Sequence, residues 1–387
     1  MLRQWWQSPQ VISASRYKRK ISWLEVFSDL IYVVIFHQLT VGLMEGHNFE
    51  NYGKFLILFL LIYWTWSDFN FYFDSHGDTS LRTTTLSVLQ MAAISFSALY
   101  IPEFFHGHYT SFILAFALNQ LMITYLWWGS GHFDPDHHQY AHDHNRQYWI
   151  SLVIQLVAAI IPNSKIQFAL IIISIISNYS AGYFARKAAQ LEFQKRGIEF
   201  EISPALSERY SQLMIIVMGE SLAELIDSMS DVHKTVSMLS LFFTSAFITL
   251  LIYLLFYINF DHILIKKGYG WMYLYRQSFV VITLNSILEI LFIHLILFEP
   301  SHLIQTALAI STITMVLSMI FLPISLNKNS HFRWNAIENL FKLLGLIIII
   351  TSIFLPISFA LYLLAVGLSI IVAIEAFSNQ EQSLQRN

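Results

Sequence analysis

Two carboxylates and an imidazole, Glu25, Asp29 and His37, stand in one long apolar stretch of this 387-residue chain, 23–43 (WLEVFSDLIYVVIFHQLTVGL). A carboxylate at the middle of a membrane helix costs about 3 kcal/mol, so such groups persist where they face protein or water. There they can pair with cations, bind ions or pass protons. At about 100° per residue, Glu25 and Asp29 share a face with Tyr32 and Thr40, and His37 lies roughly 12 Å further along the axis. Two readings follow: the acids pair with arginines near the cytoplasmic edge and fix helix packing, or they join His37 in a substrate or proton pathway.

Further along, Glu289 falls in the middle of another apolar run together with Asn285, and His294 follows it. An ionisable group at that depth is a functional candidate, with an internally paired structural acid as the alternative. Glu338 and Lys342 are four residues apart and are expected to pair on one helix face. The tract Gly131–His144 holds five histidines (His132, His137, His138, His142, His144) and three aspartates. Imidazole and carboxylate suit Zn²⁺ and its neighbours. A single tract of this kind reads first as a polar interfacial loop and only second as a metal site. No cofactor is expected. The chain has no phosphate-binding glycine loop, nucleophile elbow or dinucleotide fingerprint.

These residues must be positioned by membrane helices. The chain is 56% hydrophobic and 12% charged, against the roughly 25% charge of a soluble domain. With no cysteine it has no disulfide or thiolate chemistry, and a net charge of −3 gives no reason to expect a nucleic-acid partner. The first twenty residues are polar and basic, so no cleavable signal peptide is expected. Twelve spans are read: 23–43, 52–73, 83–102, 110–128, 148–162, 166–184, 209–227, 237–258, 277–298, 302–323, 337–354 and 357–377, with prolines 102, 162, 300 and 356 at span ends. With the N-terminus inside, seventeen Lys and Arg fall on the cytoplasmic side against three outside (Lys54, Lys165, Lys234), a positive-inside bias that puts both termini in the cytoplasm.

A constant offset of 183 lays Glu25–Leu39 over Glu208–Leu222, with Glu, Ser, Leu and Val coinciding and His37 falling on Glu220. The next spans end alike, at Phe73-Asp74 and Phe260-Asp261, and an arginine precedes each third span, Arg82 and Arg276. The expected organisation is a cytoplasmic segment 1–22, a six-helix half 23–184, a cytoplasmic linker 185–207, a second half 208–377 and a tail 378–387. Six spans per half make the halves parallel repeats. Arg82 is expected to approach Glu25 or Asp29, and Arg276 to approach Glu208, with Asp74 and Asp261 as further members of the charge pairs.

Four stretches resemble the bacterial low temperature requirement protein A family. Trp23-Leu-Glu-Val-Phe-Ser-Asp-Leu-Ile-Tyr-Val-Val is similar to the family's LELFFDLVFV. Tyr63-Trp-Thr-Trp66 running to Phe73-Asp74 resembles its Trp-rich helix and FDTDD-like turn. Glu208-Arg-Tyr-Ser-Gln-Leu-Met-Ile-Ile-Val-Met-Gly-Glu-Ser resembles ERFGLFTIIVLGES, and Tyr257-Ile-Asn-Phe-Asp261 its YFD ending. The turn after Asp74 departs from the pattern, reading Ser-His-Gly-Asp-Thr in place of an acidic run. The resemblance implies a polytopic membrane protein and assigns no substrate.

The sequence therefore predicts an all-α protein of about twelve transmembrane helices in a bacterial cytoplasmic membrane. Its expected partners are the lipid bilayer and a small solute or ion, protons included. The expected function is proton-coupled transport through Glu25, Asp29, His37, Glu208, Glu220 and Glu289. The alternatives are an enzyme acting on lipid at the cytoplasmic face, or a non-transporting assembly or signalling protein.

Overall fold

The structure, a computed structural model, describes residues 8–13, 18–44, 49–78, 80–198, 203–230, 233–260, 270–297, 302–326 and 336–384. Asp261 and Pro300 lie outside them. The described residues are mostly helical, with no strand among them. In chain order the helices are α1 (Trp23–Met44), α2 (Phe49–His76), α3 (Leu81–Ala98), the short α4 (Ile101–Phe105), α5 (Thr110–Phe133), α6 (His138–Ile160), α7 (Ser164–Arg196), α8 (Pro204–Ser228), α9 (Val236–Phe260), α10 (Gly270–Leu297), α11 (His302–Leu326), α12 (Ala336–Thr351) and α13 (Ile357–Leu384).

Each of the twelve expected spans overlaps one of these helices, but among the described residues nine are long and apolar enough to cross a membrane: α1, α2, α5, α7 and α9 to α13. The other three fall short for reasons visible in their sequences. α3 opens with Arg82 and three threonines, α6 begins HQYAHDHNRQ, and α8 carries Glu208, Arg209, Glu220, Glu224 and Asp227.

Helix ends follow local chemistry. Ser80 caps α3, its hydroxyl accepting from Thr83 N at 3.2 Å. Asn163 caps α7 by accepting from Lys165 N and Ile166 N, and Gly197 closes it in the left-handed conformation at φ 63°. At 33 residues α7 is roughly 50 Å long, well beyond the hydrocarbon core. The first half of the expected linker 185–207 is therefore the continuation of a membrane helix. The expected polar loop 131–144 is likewise mostly helix, since α5 runs to Phe133 and α6 starts at His138. A span estimate sees only the apolar part of a helix.

The chain divides into two compact units, 1–209 and 210–387, with the boundary inside α8. In the first, α6 packs on α5 and α7, α3 on α5, and α1 on α2. An aromatic column on α2 fills its core: Phe55, Phe59, Tyr63 and Trp66 stack at centroid spacings of 5.9, 5.7 and 5.7 Å, with Phe36 of α1 5.2 Å from Phe59. Each such pair adds about 0.5–1.5 kcal/mol beyond burial. In the second unit α13 packs on α9 and α12, and α10 packs on α11. Lys342 there pairs with Glu375 of α13 at 2.6 Å, an interhelix partner to which the four-residue spacing from Glu338 did not point. The interhelix contact is the more buried partner for the ammonium.

Candidate functional site

The start of α1 is a capping box. Ser22 N donates to Glu25 Oε1 at 3.1 Å, and Glu25 N donates back to Ser22 Oγ at 3.3 Å. Arg19 Nη1 lies 2.7 and 2.9 Å from the two Glu25 oxygens. One turn on, Asp29 accepts from Trp66 Nε1 at 2.7 Å and from Arg209 Nη2 at 2.6 Å. The same Arg209 nitrogen reaches Ser28 Oγ and the Glu25 carbonyl, and Nη1 lies 3.4 Å from Glu25 Oε2. Glu25, Asp29 and Arg209 are each at most 1% exposed.

Two carboxylates thus face two guanidiniums, with the remaining lone pairs taken by Ser22 and Trp66. That arrangement meets the condition under which buried ions are tolerated. Arg82, expected here, is absent from the cluster because Arg209, next to Glu208 in the α8 motif, fills the position. Asp74, also buried, accepts from Ser203 and lies 3.9 Å from Arg19 Nε. Glu208 and Arg276 are exposed.

A second buried polar set was not anticipated. Asp68 of α2 accepts from Trp127 Nε1 at 2.8 Å and from the Tyr148 hydroxyl at 2.5 Å, and that hydroxyl lies 3.4 Å from His144 Nε2. Also against the Trp127 ring, His76 and His137 meet Nε2 to Nε2 at 3.1 Å. His76 Nδ1 lies 2.9 Å from the Gln10 carbonyl, and His137 Nδ1 lies 2.9 Å from Glu192 Oε2. Arg196 then joins Glu192 (2.9 Å) to Asp134 (2.6 Å). Farther out, Lys195 pairs with the exposed Asp136 and holds its carboxyl below the usual range.

Counting hydrogens along the chain Gln10–His76–His137–Glu192 fixes its protonation. Each of its three contacts needs one hydrogen, and the Gln10 carbonyl and an ionised carboxylate can only accept. Two neutral imidazoles supply two. The third is an extra proton shared between His137 and Glu192 or held on a ring. Burial pushes His137 down to about 4, which places that proton on the carboxyl side. The arrangement can store one proton and move it by small shifts along existing hydrogen bonds.

In the second unit Glu289 is 5% exposed, with Oε2 accepting from Ser221 Oγ at 2.5 Å, and Asn285 Nδ2 donates to the same Ser221 oxygen at 2.7 Å. Glu220 and Glu224 are half-buried within electrostatic reach of Glu289. His37 is half-buried on α1.

The five candidate metal ligands separate. His132, His138 and His142 are exposed, and His132 stacks on Trp128 at 4.8 Å. His137 and His144 turn into the interior. Among the described residues no three histidine or carboxylate side chains come together as a metal would need.

Asp68 had a sequence signal, a carboxylate inside a Trp-rich span. His76, at a span end, and Glu192, inside a basic segment, had none.

No curated protein matches the chain. The model of one family, the bacterial low temperature requirement A protein (LtrA), matches residues 20–373, which takes in the Arg209 clasp, the Asp68 set and Glu289; the chain belongs to that family.

Proposed function

We propose that the protein is a proton-coupled transporter of a small solute or ion in a bacterial cytoplasmic membrane, with both termini cytoplasmic. One observation carries the reading: the His76–His137–Glu192 chain, whose three contacts need one labile proton inside a membrane protein. Buried Glu289, with Glu220 nearby, supports it as a second ionisable centre. The offset of 183 between the Glu25 and Glu208 motifs supports two parallel six-helix halves, the architecture in which transporters place sites between repeats. On this reading Glu25 and Asp29 hold the ends of helices that move, while the histidine chain, His37, Glu220 and Glu289 exchange protons.

The test is flux in liposomes containing the full-length protein, with an imposed pH gradient and a panel of small solutes. Glu192→Gln is the decisive variant. Its amide can donate to His137 Nδ1, so all three contacts survive with no extra proton. Proton-driven uptake should fall by about tenfold or more, at least 1.4 kcal/mol in the rate-limiting step, while the protein stays folded. Wild-type flux in this variant, or no proton-driven flux of any solute by the native protein, would sink the proposal.

A further inference from the structure

Arg82, the second residue of α3, is 1% exposed, and among the described residues none of its Nε, Nη1 and Nη2 atoms has a hydrogen bond of ordinary geometry. The other buried arginine among the described residues, Arg209, holds Glu25 and Asp29, and the half-buried Arg19 holds Glu25. Asp78, one turn before Arg82, directs Oδ1 to the Ser80 amide and hydroxyl. A lysine in this position could shed its proton, but a guanidinium cannot, so its burial cost stands until an anion offsets it.

The surroundings are shaped around the guanidinium. Nη2 lies against the bare backbone of Gly129 on α5, where a Cβ would come within 2.1 Å of it and push the guanidinium aside. Phe133, one turn along the same face of α5, sets its ring centroid 5.8 Å from Cζ. Tyr72 of α2 sets its hydroxyl beside the guanidinium, in loose hydrogen-bonding contact with it, and among the described residues that buried oxygen has no hydrogen bond of ordinary geometry. The site therefore offers N–H and O–H donors and a positive charge, bounded by an aromatic ring and a bare backbone.

We infer that Arg82, Tyr72 and Gly129 form a binding site for an oxyanion, a carboxylate or a phosphate. The guanidinium presents two parallel N–H donors to it and the Tyr72 hydroxyl a third. The same oxygen chemistry is offered by a soluble anion and by the headgroup phosphate of an anionic lipid. The inference stands apart from the transport reading, because it requires occupancy and no flux.

Thermal unfolding of the full-length protein in neutral detergent tests it, with inorganic phosphate against chloride at equal ionic strength, and phosphatidylglycerol against phosphatidylcholine. Native mass spectrometry would count retained lipid. The expected result is a rise of a few degrees in the native midpoint with phosphate or with phosphatidylglycerol, saturating with concentration. A response to phosphate alone identifies a soluble anion, and a response to phosphatidylglycerol with one retained lipid identifies the headgroup. Arg82→Gln should abolish the response and, without anion, be at least as stable as the native protein, because it removes an uncompensated charge. Tyr72→Phe should weaken binding several-fold, and it decides the matter if Arg82→Gln does not accumulate. Responses equal in native protein and Tyr72→Phe, no response to either anion, or an anion-free Arg82→Gln markedly less stable than native would overturn the inference.

Discussion

Arg209 Nη2 lies 2.6 Å from Asp29 Oδ1, joining two residues 180 positions apart in the sequence, both fully buried. The pair closes a cluster in which removing Arg209 strands Asp29 without a counter-charge, and removing Asp29 leaves Arg209 only the longer Glu25 contact at 3.4 Å. Asp29→Asn and Arg209→Gln should each cost about 3–5 kcal/mol. The double variant should cost clearly less than the two losses added. Denaturation of purified protein in mixed micelles measures all three, and additive losses would show that the two charges act independently.

The helices were legible because apolar runs of about twenty residues have few alternatives in lipid. The polar contacts were less so. Glu25 and Asp29 announced that cations must be near, but spacing alone favoured Arg82, a residue preceding the third span, over Arg209, which sits inside the second copy of the motif. His76, His137 and Glu192 come from the end of α2, the α5–α6 turn and the end of α7. No local pattern links them; only helix packing brings them together. The extensions of α5, α6 and α7 were missed because polar residues continue a helix beyond the bilayer without leaving a hydropathy signal.

Burial depresses His137 to about 4 from an ordinary 6.5, with Asp134 opposing the shift and Arg196 adding to it. Between those values the unfolded imidazole binds a proton that the folded ring does not, while folded Glu192 keeps the proton that its unfolded carboxyl would shed, so the two effects offset in the native protein. In Glu192→Gln the amide carries no titrating proton, and the ring's own contribution stands alone: complete above about pH 6.5 and falling by up to about 3 kcal/mol as the pH drops toward 4. The Glu192→Gln profile should therefore fall more steeply than the native one below about pH 6.5. Midpoints measured from pH 7.5 to 4.5 in native protein and variant give the comparison, and parallel curves would assign the acid sensitivity elsewhere.

Glu289 accepts from Ser221 and has no ion-pair partner among the described residues. Glu289→Gln keeps an oxygen for Ser221 and should change stability by less than about 1 kcal/mol. Ser221→Ala leaves both Glu289 Oε2 and Asn285 Nδ2 without their shared partner and should cost about 1–3 kcal/mol. If the glutamine variant proves the more damaging, charge at this position holds the fold, and its place among the proton-exchanging groups is lost.

Gly345 of α12 and Gly367 of α13 bring two backbones together. A Cβ on Gly345 would lie 2.8 Å from the Gly367 carbonyl oxygen, and one on Gly367 would lie 2.7 Å from the Gly345 carbonyl oxygen. Small residues at such crossings let membrane helices pack closely. Alanine gains about 1 kcal/mol over glycine in helix propensity, but here the added methyl meets backbone that can yield only if the helices separate. Overpacking of this kind costs about 1–3 kcal/mol, so Gly345→Ala and Gly367→Ala should each be net destabilising. Gly219 of α8, with nothing within 4 Å of its built Cβ, is the control, and Gly219→Ala should be neutral or stabilising. Unfolding midpoints of the three variants decide the matter: a shift of the same sign in all of them would mean that propensity, and not the crossing, sets the response.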